Sequence, residues 1–255
     1  MSPADGGTAT RAVVSHVRGV VVDIEGTTSA TASVHVGLYD FARPRIEPWL
    51  RDHRHDPAIA DAIAATTTEA GLADDATLTD VAAVMQAWMD GDVKATPLKT
   101  VQGQIWAAGF DDGQLEPHFF DDVEPALRRW HAAGLGLAVF SSGSVAVQQP
   151  WFAHGLPADV VGGIDAYFDT VNAGNKREAA SYAKIADVLT SRWSCTPTAL
   201  VFVSDVVAEL DAAAAAGWQT VGIRRPGEPS DATDFGAHPV VADFGSIDLT
   251  TEVED

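Results

Sequence analysis

The run Val20-Val21-Val22-Asp23-Ile24-Glu25-Gly26-Thr27-Thr28 joins an apolar stretch to two carboxylates and a glycine turn. A β-branched run of this kind reads as a buried strand, and Gly-Thr-Thr marks where it stops. In open α/β sheets, ligands bind just beyond the carboxyl ends of strands. Carboxylates at i and i+2 can divide the work there. One attacks or binds a metal while the other moves protons. Taken alone, the same residues also fit a strand that merely ends in an acidic turn.

Two further apolar runs end in polar residues. Leu135 to Phe140 leads into Ser141-Ser142-Gly143-Ser144, and Ala199 to Val203 leads into Ser204-Asp205. Between them, Gly174-Asn175-Lys176 stands just before a helical pattern. In a parallel sheet the three strand ends share one edge. They would then assemble two acids from one strand, a hydroxyl pair, a cation and a third carboxylate. Carboxylates from different strands suit hard Mg²⁺, which takes oxygen ligands. Hydroxyls, helix N-terminal N–H groups and a lysine suit phosphate.

The elements that must position these groups follow from periodicity. After Gly26 the pattern is helical for about a hundred residues. Val34 to Leu50 reads as a helix perturbed by Pro44. Leu78, Val81, Val84, Met85 and Trp88 form an amphipathic helix after a cap at Thr77 or Thr79, and Leu98 to Trp106 forms a short helix stopped by Gly109. From Val123 helices and strands alternate: helices Val123–Ala133, Val145–His154, Ala179–Leu189 and Val206–Ala216; strands at 135–140, 167–169, 199–203, 220–223 and 240–244. The expected fold is α/β, a doubly wound, mostly parallel Rossmann-like sheet core with a helical cap domain inserted after the first strand. Residues 1–30 and 121–255 form the core and 31–120 the cap. The first ten residues and the acidic tail after Ile247 read as disordered or frayed.

The 255 residues carry a net charge of −20, with 46% apolar residues. Such a surface repels nucleic acid and anionic membranes, so neither is an expected partner. It also repels phosphate at long range, so a phosphate site needs local cations, N–H groups or a metal. Cys195 is the single cysteine, excludes an intrachain disulfide and fits a reducing compartment. The N-terminal stretch reads as neither a signal peptide nor a membrane span, and a cytoplasmic location is expected.

The ordered set of motifs resembles the four motifs of the haloacid-dehalogenase-like phosphohydrolases. Within them it is most similar to the acireductone-forming enolase-phosphatases of methionine salvage, because Glu25 stands where most of the superfamily carries Asp. Leu98-Lys99-Thr100-Val101-Gln102-Gly103-Gln104-Ile105-Trp106, Phe140-Ser141-Ser142-Gly143-Ser144-Val145, Tyr167-Phe168-Asp169-Thr170, Lys176 with Ser181-Tyr182, Ser204-Asp205 followed by Glu209-Leu210-Asp211, and Arg225-Pro226-Gly227 carry the likeness from about Val20 to Gly227.

The resemblance implies a Mg²⁺-dependent hydrolase that enolises 2,3-diketo-5-methylthiopentyl-1-phosphate and then removes its phosphate. Asp23 would be the nucleophile, forming an aspartyl-phosphate, and Glu25 the proton donor and acceptor. Asp23, the Glu25 backbone carbonyl and Asp205 would hold the metal. Ser141 and Ser142 would hold substrate oxygens, and Lys176 would neutralise the charge between phosphate and Asp23. A monomer and a substrate-selecting cap are also implied. Another small phosphate ester is the alternative substrate, and a phosphate-binding protein without catalysis is a third reading.

Plainer readings compete residue by residue. Ser141 and Ser142 could cap the next helix. Glu209 could approach the metal or sit at the surface. Lys99, Gln102 and Trp106 share a helix face, with Lys94 nearby, and Trp106 alone reads as core packing. His53 and His55 read as surface residues.

Overall fold

The structure, a computed structural model, describes residues 10–73, 75–91, 93 and 95–251. Residues 1–9, on which most of the expectation for the N-terminus rests, Lys94 and the last four residues of the tail lie outside the described residues.

The chain divides into two compact units, Met1–Thr31 with His118–Asp255, and Ala32–Pro117. The first contains a six-stranded sheet. Its strands are β2 (Gly19–Val22), β3 (Gly136–Phe140), β4 (Ile164–Phe168), β5 (Leu200–Ser204), β6 (Gln219–Ile223) and β7 (Val240–Val241), in spatial order β4-β3-β2-β5-β6-β7. Every neighbouring pair is parallel. Strand β2 is buried along its whole length because helices cover both faces of such a sheet, and its all-valine interior reflects that burial. The fold class read from the residues is the observed one.

The register decides where the chemistry falls. Val22 pairs with Val139 on one side and Val203 on the other. Asp23 therefore emerges level with the ends of both flanking strands. Phe140, Phe168, Tyr182, Phe202 and Trp218 belong to the buried core that packs against the sheet.

Three differences from the sequence pattern stand out. A short parallel pair, β1 (Ala12–Val14) with β8 (Ile247–Leu249), precedes and follows the main sheet. The insert thus follows the second strand of the chain, and the segment just after Ile247 is ordered rather than frayed. The 240–244 strand is only two residues long, because Phe244–Ser246 turns into β8. Three-residue strands paired across the whole chain have no local signature.

The insert is helical throughout its regular elements. The expected 34–50 helix is divided into a π-helical turn at Ser33–Gly37, Leu38–Ala42, a 3₁₀ turn at Arg43–Arg45 that holds Pro44, and Ile46–His53. Pro57–Glu69 is a helix that the Ala- and Thr-rich sequence conceals. Its start is nonetheless conventional: Asp56 accepts from the Ala58 N–H and Pro57 occupies the first turn. Thr77, not Thr79, caps Leu78–Asp90 in a reciprocal pair with Asp80. The helix Thr96–Asp111 runs through Gly109 instead of stopping there. A Cβ at Gly109 would meet the Phe41 ring, so this glycine serves packing rather than termination.

Trp193 provides a test of the sheet's packing. Its ring lies where Cβ atoms at Gly19 and Gly136 would stand, and its Nε1 donates to Asp165 Oδ2 at 2.9 Å. Gly136→Ala should therefore destabilise the protein by about 1–3 kcal/mol through overpacking. Gly103→Ala, at a helical position with open space around it, should stabilise by about 0.5–1 kcal/mol. Urea unfolding of the two variants should move in opposite directions; equal midpoints would contradict the packing described for Trp193.

Candidate active site

The end of β2 is organised by its own turn. Ile24 O accepts from the N–H groups of Thr27, Thr28 and Ser29, and Gly26 N–H donates to Ser29 O. Gly26 adopts φ +66°, and a Cβ there would strike the Asp205 carboxylate. Glycine is thus required both by the backbone and by the acid lying against it. The Thr28 hydroxyl donates to Asp23 O at 3.0 Å, locking the turn to the strand.

Asp23 is only 4% exposed. Its Oδ1 accepts from the Ile24 N–H at 2.7 Å and pairs with Lys176 Nζ at 2.6 Å. Two donors on one oxygen fix the carboxylate's direction. Lys176 Nζ also meets Glu209 Oε2 at 2.7 Å, and the Ser204 hydroxyl lies 3.1 Å from Glu209 Oε2 and 3.3 Å from Asp23 Oδ2. Asp23, Lys176, Glu209 and Ser204 form a closed polar ring. Glu209 is buried in the first turn of Val207–Ala215 and belongs to this ring, so the surface reading of it fails.

Lys176 owes its place to the helix that follows. The Tyr182 hydroxyl donates to Lys176 O at 2.8 Å and the Ser181 hydroxyl donates to Asn175 O at 2.7 Å. These are the two residues that mark this lysine in the sequence. Burial works against the ammonium, but the two carboxylates outweigh it and hold its pKa above the ordinary lysine value.

Asp205 is anchored by Thr27, whose hydroxyl accepts from the Asp205 N–H at 3.0 Å and lies 3.4 Å from Oδ1. A cavity of about 190 Å³ is bordered by Asp23, Glu25, Ser142, Lys176, Asp205 and Glu209, among others. Ser141, by contrast, is buried and does not border the cavity, and its Oγ accepts from the Gly143 N–H at 3.2 Å. Neither serine caps the next helix. Ser144 occupies that position, and the Asp169 carboxylate accepts from the Val145 N–H at 2.9 Å. The Tyr167-Phe168-Asp169 motif thus shapes the Ser141–Ser144 loop, a role its spacing does not reveal.

The donor set fits a divalent cation. Lys176 is the one cation among the described residues that border the cavity, and it faces three buried acids. A charge of +2 beside Asp23 and Asp205 would balance them. Among the described residues no three His, Cys, Asp or Glu side chains converge as a ready metal-holding group, so the fit rests on two carboxylates and a backbone carbonyl. In the insert, Trp106 is core: its Nε1 donates to Leu38 O at 2.8 Å. Gln102 is buried beside it, and Lys99 is partly exposed. Of the two histidines read as surface residues, His55 is exposed, whereas His53 is half-buried and stacks on Trp49.

Burial and mutual repulsion both disfavour the charged forms of these acids. Burial, then the neighbouring Asp23 carboxylate, raises the Asp205 pKa to about 6, and the same two causes raise Glu209 to about 7. Asp205 therefore binds more protons folded than unfolded, and stability falls as pH rises from 3.8 to about 6. In EDTA at pH 8, Asp205→Asn should be more stable than the parent by about 1–2 kcal/mol, since one pKa unit corresponds to about 1.4 kcal/mol. The gain should vanish near pH 4. Thermal melts showing no gain at pH 8 would contradict this account.

Comparison with known proteins places the geometry in a lineage. Residues 17–217 match the family described as haloacid dehalogenase-like hydrolase. The chain is 54% identical over 232 residues to Enolase-phosphatase E1 of Saccharopolyspora erythraea, covering 91% of this chain and 95% of the relative. It is 51% identical to Enolase-phosphatase E1 of Frankia alni, covering 89% and 93%. The crystal structure of the UTR4 protein of Saccharomyces cerevisiae superposes with a TM-score of 0.74 at 26% identity, covering 89% of this chain and 98% of that one. An L-2-haloacid dehalogenase, at 17% identity and a TM-score of 0.54, shares the fold over 90% of this chain and 97% of its own. The identity to the first two relatives extends over nearly their whole length, and the chain belongs to the enolase-phosphatase E1 family of the haloacid dehalogenase-like hydrolases.

Proposed function

We propose that this chain is a Mg²⁺-dependent phosphoric monoester hydrolase, the enolase-phosphatase of methionine salvage. It enolises 2,3-diketo-5-methylthiopentyl-1-phosphate and then hydrolyses the phosphate to give the acireductone 1,2-dihydroxy-3-keto-5-methylthiopentene. The observation that carries the reading is a buried carboxylate, Asp23, held 2.6 Å from a buried lysine at the carboxyl edge of a parallel sheet. Glu25 stands two residues on, as in the motif that this family's resemblance turns on.

In this reading Asp23 attacks phosphorus. The bond from phosphorus to the substrate oxygen breaks as the Asp23–phosphorus bond forms, and Glu25 gives its proton to the leaving oxygen. Glu25, now a carboxylate, takes a proton from water as that water attacks the aspartyl-phosphate, releasing phosphate and restoring Asp23. Lys176 removes the charge repulsion between the anionic nucleophile and the anionic phosphate. Ser141 and Ser142 contribute hydroxyls to the substrate oxygens. Asp23, Asp205 and the Glu25 backbone carbonyl would hold Mg²⁺, which supplies Lewis-acid charge to the phosphoryl and enolate oxygens when bound.

The helical insert, from about residue 31 to 120, is the segment proposed to select the substrate. No helix among the described residues is long and apolar enough to cross a membrane. A cytoplasmic monomer acting on a small phosphorylated substrate completes the proposal.

Two outcomes are expected. The purified protein with Mg²⁺ and the diketo phosphate should release phosphate and form an ultraviolet-absorbing enediol. Both signals should stop with EDTA, and Asp23→Asn should lose phosphate release by more than a thousandfold, roughly the scale for loss of a covalent nucleophile. Turnover of a simple sugar phosphate with none of the diketo compound would refute the substrate assignment. Separately, Glu25→Asp should lose enolisation more than dephosphorylation if the extra methylene reaches the carbon acid. Equal loss of both steps would remove that role.

A further inference from the structure

Arg225 is among the most buried charged residues described, at 3% exposure, yet the chemistry above does not use it. Its Nε and Nη2 donate to Thr27 O at 3.1 and 2.8 Å. Its Nη1 donates to both Asp122 oxygens at 2.7 and 2.8 Å. The guanidinium lies 4.2 Å from the Phe120 ring centroid and 5.1 Å from that of Phe244. Asp122 Oδ2 also accepts from the Phe244 N–H at 2.6 Å. One side chain therefore ties together the turn after β2, the Phe120–Asp122 segment and the segment before β8.

The Thr27 end of this clamp leads to the active site. The Thr27 carbonyl is held by Arg225, while the Thr27 hydroxyl accepts the Asp205 N–H and lies against Oδ1. The adjoining Gly26 presses against the same carboxylate. A shift of Thr27 would thus move Asp205. Buried ion pairs are weak sources of stability, since desolvation offsets the attraction. What this pair supplies is geometry: a planar fork that serves a carbonyl and a carboxylate at once, which a lysine ammonium cannot match.

We propose that the buried Arg225–Asp122 pair is a positioning element for Asp205, acting through Thr27 on the acid that would hold the metal. The inference rests on the metal-binding reading of Asp205 given above. Residues that orient metal ligands commonly change affinity by about 10–100-fold when removed.

The test is calorimetric Mg²⁺ binding to the substrate-free protein, with the Mg²⁺ dependence of phosphate release measured alongside. Arg225→Lys and Asp122→Asn should each bind Mg²⁺ at least about tenfold more weakly. Thr27→Val, which keeps the carbonyl and removes the hydroxyl, should do the same. The Arg225→Lys/Thr27→Val double variant should be no weaker than the poorer single one, because both act on one connection. Arg192→Met is the control. It removes the bond to Asp165 Oδ1 on β4 without touching Thr27, Asp122 or Phe244, so it should leave Mg²⁺ affinity unchanged. If Arg225→Lys does not fold, the nearly isosteric Asp122→Asn decides. Folded variants with the parent's Mg²⁺ affinity would overturn this inference alone, whereas a parent that binds no Mg²⁺ would overturn the functional reading together with it.

Discussion

At the carboxyl edge of the central sheet, the Lys176 ammonium is buried between the carboxylates of Asp23 and Glu209. Removing three charges from water is costly, and the cost is met only where the geometry is close and the remaining lone pairs are bonded. The surrounding structure supplies that closeness. Tyr182 and Ser181 hold the lysine's backbone, Ile24 donates to the Asp23 carboxylate, and Ser204 bridges toward both acids. The apolar floor of Phe140 and Phe202 keeps water from competing while presenting ring faces to the ammonium at 5.7 and 5.9 Å.

This arrangement makes the site a reservoir of unfavourable charge. Asp205 lies at the same edge and is raised by its own burial and by Asp23. A protein selected for stability alone would place neutral residues here. The Mg²⁺ proposed above would balance this excess of acid over base, and the overall −20 charge of the chain makes such local pairing the more necessary for an anionic substrate.

Precision comes from the sheet rather than from the loops. Because β2 lies between β3 and β5 in parallel register, the loops that follow all three strands open on the same side. Short loops then set the final placement through a few specific bonds: Asp169 on the serine loop, Thr27 on Asp205, Arg225 on Thr27. Each of these connects segments far apart in sequence; Thr27 acts directly on Asp205, Arg225 acts on it through Thr27, and Asp169 acts on the loop that carries Ser142.

The amino-acid sequence by itself determined the sheet's principal strands, the helical insert, and Asp23, Glu25, Ser142, Lys176 and Asp205 among the residues that meet at the cavity. These depend on local periodicity and on motifs whose spacing is contained within single turns. Asp23 and Asp205 were legible because a strand end is marked by a change from apolar to polar residues, whereas Lys176 was legible only through the Ser181-Tyr182 that follows it in the family motif. The tertiary structure alone decided the β1–β8 pairing, the burial of Glu209, the task of Asp169 and the Arg225–Asp122 clamp. Arg225 and Asp122 are 103 positions apart, and nothing in the neighbourhood of either names its partner. Likewise, whether Glu209 faces water or Lys176 depends on how its helix is rotated against the sheet. Hydrophobic patterning specifies which groups must leave water, but the pairing of buried charges is set only when distant segments are packed, because desolvation makes any other arrangement unfavourable.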